Sequence, residues 1–218
     1  MSRDASPDTP APEGLLTSLR RQLLPVLGWV LVALVLRALV VEPRWIPSGS
    51  MLPTLQLQDR VLVEKLRPKL KQPLPIGTVV VFQPPEALLE AGYDPKAALI
   101  KRVVAGPGDT VEVHDGVLWR NGARAQPDWA AEPMDYRFGP LTVPADALLV
   151  LGDNRNASLD SHLWGPLPQA NVLGTAIWRY WPLDHFGPLP ADGGRTAPDA
   201  AEELGYGAAL DGACTGDV

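Results

Sequence analysis

Between residues 23 and 41 the chain reads LLPVLGWVLVALVLRALVV, about 19 residues with Arg37 as the one charge. As an α-helix rising ~1.5 Å per residue it spans ~28 Å, close to the hydrocarbon thickness of a bilayer. The unbroken part, residues 23–36, has the length of a secretory signal's apolar region. The following Arg37-Ala38-Leu39-Val40-Val41-Glu42-Pro43 nevertheless offers no clear small-x-small cleavage site. The core helix of a soluble domain would carry a polar face, and residues 23–36 carry none. These comparisons favour a single transmembrane helix over residues 22–41. Arg37 lies near its far end, where the long stem carries the guanidinium to the interface. Arg20-Arg21 immediately precede the span, which by the positive-inside preference puts the N-terminus in the cytoplasm and the remainder outside it. Residues 1–21 are expected to be a disordered leader, because Pro, Ser, Ala and Asp dominate their first part.

Past the span the pattern changes to β. Short β-branched or alternating runs occur at residues 60–64, 78–82, 99–104, 110–120, 147–151 and 172–180. Asp115-Gly116 and Asn121-Gly122 mark tight turns of the type I′ kind. No stretch beyond Val41 has a helical period. With 24 prolines and 20 glycines among 218 residues, long loops are expected. The predicted fold is mainly β: one membrane helix, then an all-β, partly barrel-like domain over residues 42–186. Residues 187–218 are mostly Gly, Ala, Pro and acidic residues with few large apolar ones, which suggest a disordered acidic tail holding the single cysteine, Cys214. One cysteine makes no intrachain disulfide. The histidines His114, His162 and His185 lack metal-ligand spacing, so no metal or other cofactor is expected. A net charge of -6 without a basic stripe argues against a nucleic-acid partner.

Three polar segments stand out against this background. Ile46-Pro47-Ser48-Gly49-Ser50-Met51-Leu52-Pro53 places two hydroxyls around a glycine, between two prolines. Such a turn can hold a hydroxyl at a fixed angle and leave backbone N–H groups facing a ligand. A serine needs a base, and the histidines form no recognisable triad. Lys101, in Leu-Ile-Lys-Arg-Val-Val, is the best candidate by environment, since burial on an apolar strand favours the neutral amine. By alternation Lys101 and Arg102 point to opposite faces, so that one enters the site while the other meets solvent. The third segment, residues 152–165, is dense in turn-forming and hydrogen-bonding side chains. Each segment alone has an ordinary structural explanation: a linker, a surface lysine, a loop of Asx turns.

Together they resemble the signature boxes of type I signal peptidases. The matching stretches are Ser-Gly-Ser-Met-Leu-Pro-Thr-Leu after one span, Lys-Arg-Val-Val-Ala-Gly-Pro-Gly-Asp, and Gly-Asp-Asn-Arg-x-x-Ser-x-Asp-Ser-x-x-Trp-Gly. The resemblance runs from the apolar span to about Pro182, and Tyr180-Trp181-Pro182 is similar to cyanobacterial and thylakoid members. It implies Ser50 as nucleophile and Lys101 as general base. It also implies that Ser48 joins the Ser50 N–H in an oxyanion hole, that Ser158 hydrogen-bonds and orients the lysine, and that Ile46, Pro47, Met51 and Ile100 line shallow substrate subsites. Asp153, Asn154, Arg155 and Asp160 match positions that shape the surrounding loops. One departure is His162, where many relatives carry arginine two residues after the aspartate; an Asp160–His162 pair is expected in its place.

The resemblance further implies a membrane-bound serine endopeptidase that removes N-terminal signal peptides from exported preproteins through an acyl-enzyme. Its partners would be preproteins with small-x-small sites and the lipid bilayer. Nine residues separate Val41 from Ser50, a link of at most ~30 Å, which keeps the nucleophile near the membrane surface. Two rivals stay open at this stage. One is a Ser/Lys protease with another role, against which the span counts if that role is repressor self-cleavage. The other is a catalytically silent membrane-tethered β-domain, against which retention of all three polar boxes counts.

Overall fold

The computed structural model describes residues 15–125 and 129–189, with side chains from residue 20 onward. The chain divides into two compact units, Met1–Val41 and Glu42–Val218. In the first, a helix α1 occupies Leu15–Leu39. It begins before the twin arginines, so residues 15–21, expected within a disordered leader, are helical. Its stretch Arg20–Leu39 is long and apolar enough to cross a membrane.

The second unit is mainly β. Its strands are β1 Val41–Trp45, β2 Arg60–Glu64, β3 Val79–Phe82, β4 Leu99–Ala105, β5 Thr110–His114, β6 Val117–Arg120, β7 Ala123–Arg124, β8 Phe138–Thr142, β9 Ala147–Leu151, β10 Leu167–Pro168, β11 Val172–Trp181 and β12 Gly187–Pro188. Eight form a larger sheet in the order β1-β2-β11-β3-β4-β9-β10, with β12 also on β11, and four form a smaller one, β7-β6-β5-β8. The pairings of β11, β3, β4, β9 and β5 with their neighbours are antiparallel. Asp115-Gly116 joins β5 to β6, and Asn121-Gly122 joins β6 to β7. All four residues have positive φ (54° and 76°, 54° and 77°), as a type I′ turn requires. Strand β12 and the buried Leu189 lie within the segment expected to be a disordered tail. Residues 190–218, including Cys214, lie outside the described residues.

The larger sheet is covered on both faces. Along β3, Val79 and Val81 join a cluster with Ile46, Met51, Leu55, Val61 and Ile100. Val80 and Phe82 join another with Val103, Leu148, Val150 and Leu167. A third cluster binds the small sheet to the large one, through Val111, Val113 and Leu118 on one side and Val104, Leu149 and Leu151 on the other. Two buried faces explain why these strands read as continuous apolar runs. They also require any polar side chain on them to find a partner inside.

Candidate active site

The serine turn is held at both ends by apolar anchors. Ile46 and Met51 are 2% and 0% exposed, and Leu55 is as deeply buried. Backbone bonds from Ile46 N to Asp59 O (2.9 Å), Gln58 N to Ile46 O (2.9 Å) and Leu55 N to Met51 O (2.9 Å) fix the flanks. Between them Gly49–Met51 make a single 3₁₀ turn that carries Ser50 inward and leaves Ser48 exposed.

Lys101 stands on β4, opposite Val80 of β3. It is 4% exposed, and its Nζ donates to Ser50 Oγ at 2.7 Å. Burial brings its ammonium down from the ordinary 10.5 to about 8, against the opposing pull of the Asp160 and Asp153 carboxylates. Ser48 Oγ lies 3.4 Å from Ser50 Oγ. A hydroxyl hydrogen-bonded to a buried amine whose proton is held less tightly than a free lysine's is the arrangement a Ser/Lys nucleophile requires.

The loop after β9 closes the other side. Gly152 N donates to Asp160 Oδ2 (2.8 Å), and Val150 N donates to Ser161 Oγ (3.0 Å). Asp160 also caps the one-turn helix Ser161–Trp164 by accepting from His162 N (3.2 Å). His162 Nδ1 lies 2.7 Å from Asp160 Oδ1, and the His162 ring stacks on Tyr136 with centroids 4.0 Å apart. Asp160 and His162 therefore do pair in this chain. Asn154 reaches the serine turn: its backbone N donates to Ser50 O (3.1 Å) and its Nδ2 to Gly49 O (3.1 Å). Gly152 has no room for a side chain. A Cβ there would sit 2.3 Å from Ser158 Oγ and 2.4 Å from Ser50 O.

Expectations for Arg102 and Ser158 need correction. Arg102 does not meet solvent. Alternation sends it away from Lys101, but the opposite face of β4 is also covered, and Arg102 is 0% exposed. Its guanidinium donates to both Asp153 oxygens (Nε 2.8 Å, Nη2 2.6 Å) and to Gly77 O (2.7 Å), and it lies 4.7 Å from the Trp129 ring centroid. The hydrogen bond expected from Ser158 to Lys101 is not formed either. Ser158 Oγ is buried against Gly152 with no partner.

A cleft of about 510 Å³ opens over the dyad, with Pro47, Ser50, Tyr93, Ile100, Lys101 and Leu159 among its lining. Of the four residues expected to line subsites, Pro47 and Ile100 line this cleft. Ile46 and Met51 instead belong to the core behind the turn. Tyr93 and Leu159 had no sequence signal, because both come from loops whose course depends on distant packing. A second concavity, between β11 and residues 64–72, contains neither serine of the turn nor Lys101.

Known proteins match this chain closely. The family model for signal peptidase, peptidase S26, matches residues 19–181. A probable signal peptidase I-1 of Synechocystis sp. is 48% identical over 167 residues, 76% of this chain and 85% of that protein. Signal peptidase I of Leptolyngbya laminosa is 46% identical over 160 residues, covering 73% and 78%. A probable thylakoidal processing peptidase 2, chloroplastic, of Arabidopsis thaliana is 47% identical over 153 residues, covering 70% of this chain and 41% of that protein. With three-quarters of its length inside the family match and the Ser50–Lys101 contact on a mainly β frame, the chain belongs to the signal peptidase family, peptidase S26.

Proposed function

We propose that this protein is a membrane-bound endopeptidase that removes N-terminal signal peptides from exported preproteins, with Ser50 as nucleophile and Lys101 as general base. The observation that carries the reading is the 2.7 Å contact between Lys101 Nζ and Ser50 Oγ at the floor of an open cleft. Neutral Lys101 takes the Ser50 hydroxyl proton as Oγ attacks the scissile carbonyl carbon. The oxyanion that develops is met by the Ser50 N–H and the Ser48 hydroxyl. Collapse breaks the peptide C–N bond, and the Lys101 ammonium protonates the leaving amine. Lys101 then takes a proton from water, which attacks the ester and releases Ser50.

The cleft walls at Pro47 and Ile100 are apolar, which accords with the small apolar side chains of preproteins that carry small-x-small sites. Helix α1 lies in the bilayer, with Arg20-Arg21 on the cytoplasmic side and the β unit on the other. The test is incubation of the full-length protein in detergent with a preprotein carrying an A-x-A site, followed by mass determination of the new N-terminus. Cleavage after that site, lost in both Ser50→Ala and Lys101→Ala, is the expected result; cleavage that survives Lys101→Ala overturns the base assignment. For topology, protease added to sealed inside-out vesicles should leave the β unit intact, and its digestion would reverse the orientation.

A further inference from the structure

The serine turn has a weak point. Gly49 lacks a Cβ, so the Gly49–Ser50 peptide plane is the one in the turn most free to rotate. In a trans peptide the carbonyl of residue 49 and the N–H of residue 50 point in opposite directions. The direction of the Ser50 N–H is therefore set by whatever holds the Gly49 oxygen. Two donors do so: Leu52 N at 3.2 Å, which belongs to the turn itself, and Asn154 Nδ2 at 3.1 Å, which comes from the loop after β9. Only the NH₂ end of an amide can donate to a carbonyl, so the orientation of the Asn154 side chain is unambiguous. The backbone N of the same residue donates to Ser50 O at 3.1 Å. One residue, over a hundred positions away in sequence, thus clamps two consecutive carbonyls on either side of the nucleophile's Cα.

We propose that Asn154 is a positioning residue for the reaction: its side-chain amide holds the Gly49–Ser50 peptide so that the Ser50 N–H stays aimed at the developing oxyanion. This rests on the reading of Ser50 as nucleophile with its own N–H as oxyanion donor. Preorganisation is what gives such a donor its effect, because a dipole already aligned needs no reorganisation as charge develops. Asn154 neither takes a proton nor attacks. Its removal leaves the Lys101–Ser50 contact in place and loosens only the direction of one N–H.

The test is steady-state kinetics of full-length Asn154→Ala in detergent on a preprotein substrate. Melting temperature, pH–rate profile and affinity for a peptide aldehyde ending in alaninal are measured alongside. Losing an oxyanion donor outright costs about 10²–10³ in kcat. A donor that is loosened and not lost should cost about 10- to 100-fold, with KM within about twofold. The alkaline-going limb of the profile should stay where it is in the unaltered protein. The aldehyde adds to Ser50 Oγ as a hemiacetal whose oxygen occupies the same place, so its affinity should fall alongside kcat. Near-normal kcat in a folded variant overturns the proposal, as does a loss of rate accompanied by a displaced limb, which would place the effect on Lys101. Asn154→Leu, of similar size and branching but without a donor, repeats the measurement if the alanine variant does not fold; failure of both to fold makes the residue structural and also overturns the proposal. Ser50→Ala and Lys101→Ala run in parallel separate this outcome from failure of the dyad itself, since a dyad that is wrong leaves those two variants active.

Discussion

Lys101→Met removes a charge whose burial the folded state has to sustain. The strand holds Lys101 at 4% exposure, and desolvation outweighs the pull of Asp160 and Asp153, bringing its ammonium from 10.5 to about 8. At ~1.36 kcal/mol per pH unit, that drop corresponds to about 3 kcal/mol. The folded protein releases this proton near pH 8, whereas the unfolded chain keeps it to about 10.5. Between those values the unfolded chain binds more protons, so stability rises with pH across that window. Below the window both states are protonated and the full cost is present. Methionine matches much of the lysine stem but carries no charge. It forfeits the hydrogen bond to Ser50, worth ~1 kcal/mol. At pH 7 the variant, though inactive, should therefore be more stable than the unaltered protein by about 2 kcal/mol. At pH 10 most of that advantage should be gone. Other groups that titrate in this range do so in both proteins and cancel in the difference. Denaturant unfolding of both full-length proteins in the same detergent, followed by tryptophan fluorescence at pH 7 and pH 10, measures it. A Met variant no more stable at pH 7, or a difference that does not shrink with pH, would refute a buried lysine poised near neutrality.

The rate of preprotein cleavage should climb with pH through a limb near 8, where Lys101 loses its proton. Asp160→Asn removes a charge that favours the ammonium, so the limb should move to lower pH; movement upward would show that Asp160 does not act on Lys101 electrostatically. Ser48→Ala should lower kcat by about 10²–10³ with little change in KM, and a normal kcat in a folded variant would take Ser48 out of the oxyanion hole. Gly152→Ala forces a Cβ to 2.3 Å from Ser158 Oγ and 2.4 Å from the Ser50 carbonyl. Cleavage should be nearly lost even where circular dichroism shows the β unit folded, and full activity would mean that the loop yields without moving the serine.

What could be read from the sequence is what depends on near neighbours. The Asp115-Gly116 and Asn121-Gly122 turns are legible because positive φ at two successive positions is a local demand that few residue pairs meet. Strand β8 is not legible in the sequence because it contains Gly139-Pro140, a pair that argues against a strand until a partner such as β5 is known. The two-residue strands β7, β10 and β12 likewise exist only through their partners.

Arg102 shows where strand-level reasoning stops. Alternation correctly separates it from Lys101, but whether the far face of β4 meets water or a second layer is not written in β4. It depends on the loop that brings Asp153 from 51 positions away and on Trp129 packing over the guanidinium. Ile46 and Met51 carry the same lesson toward the site. The family resemblance implies them as subsite walls, yet they lie in the core and anchor the turn's two ends. A turn built on glycine has little stiffness of its own. Its precision is borrowed from the apolar anchors on either side and from the Asn154 bonds across it. A serine placed this way can meet a buried lysine at 2.7 Å without either residue contributing to the hydrophobic core.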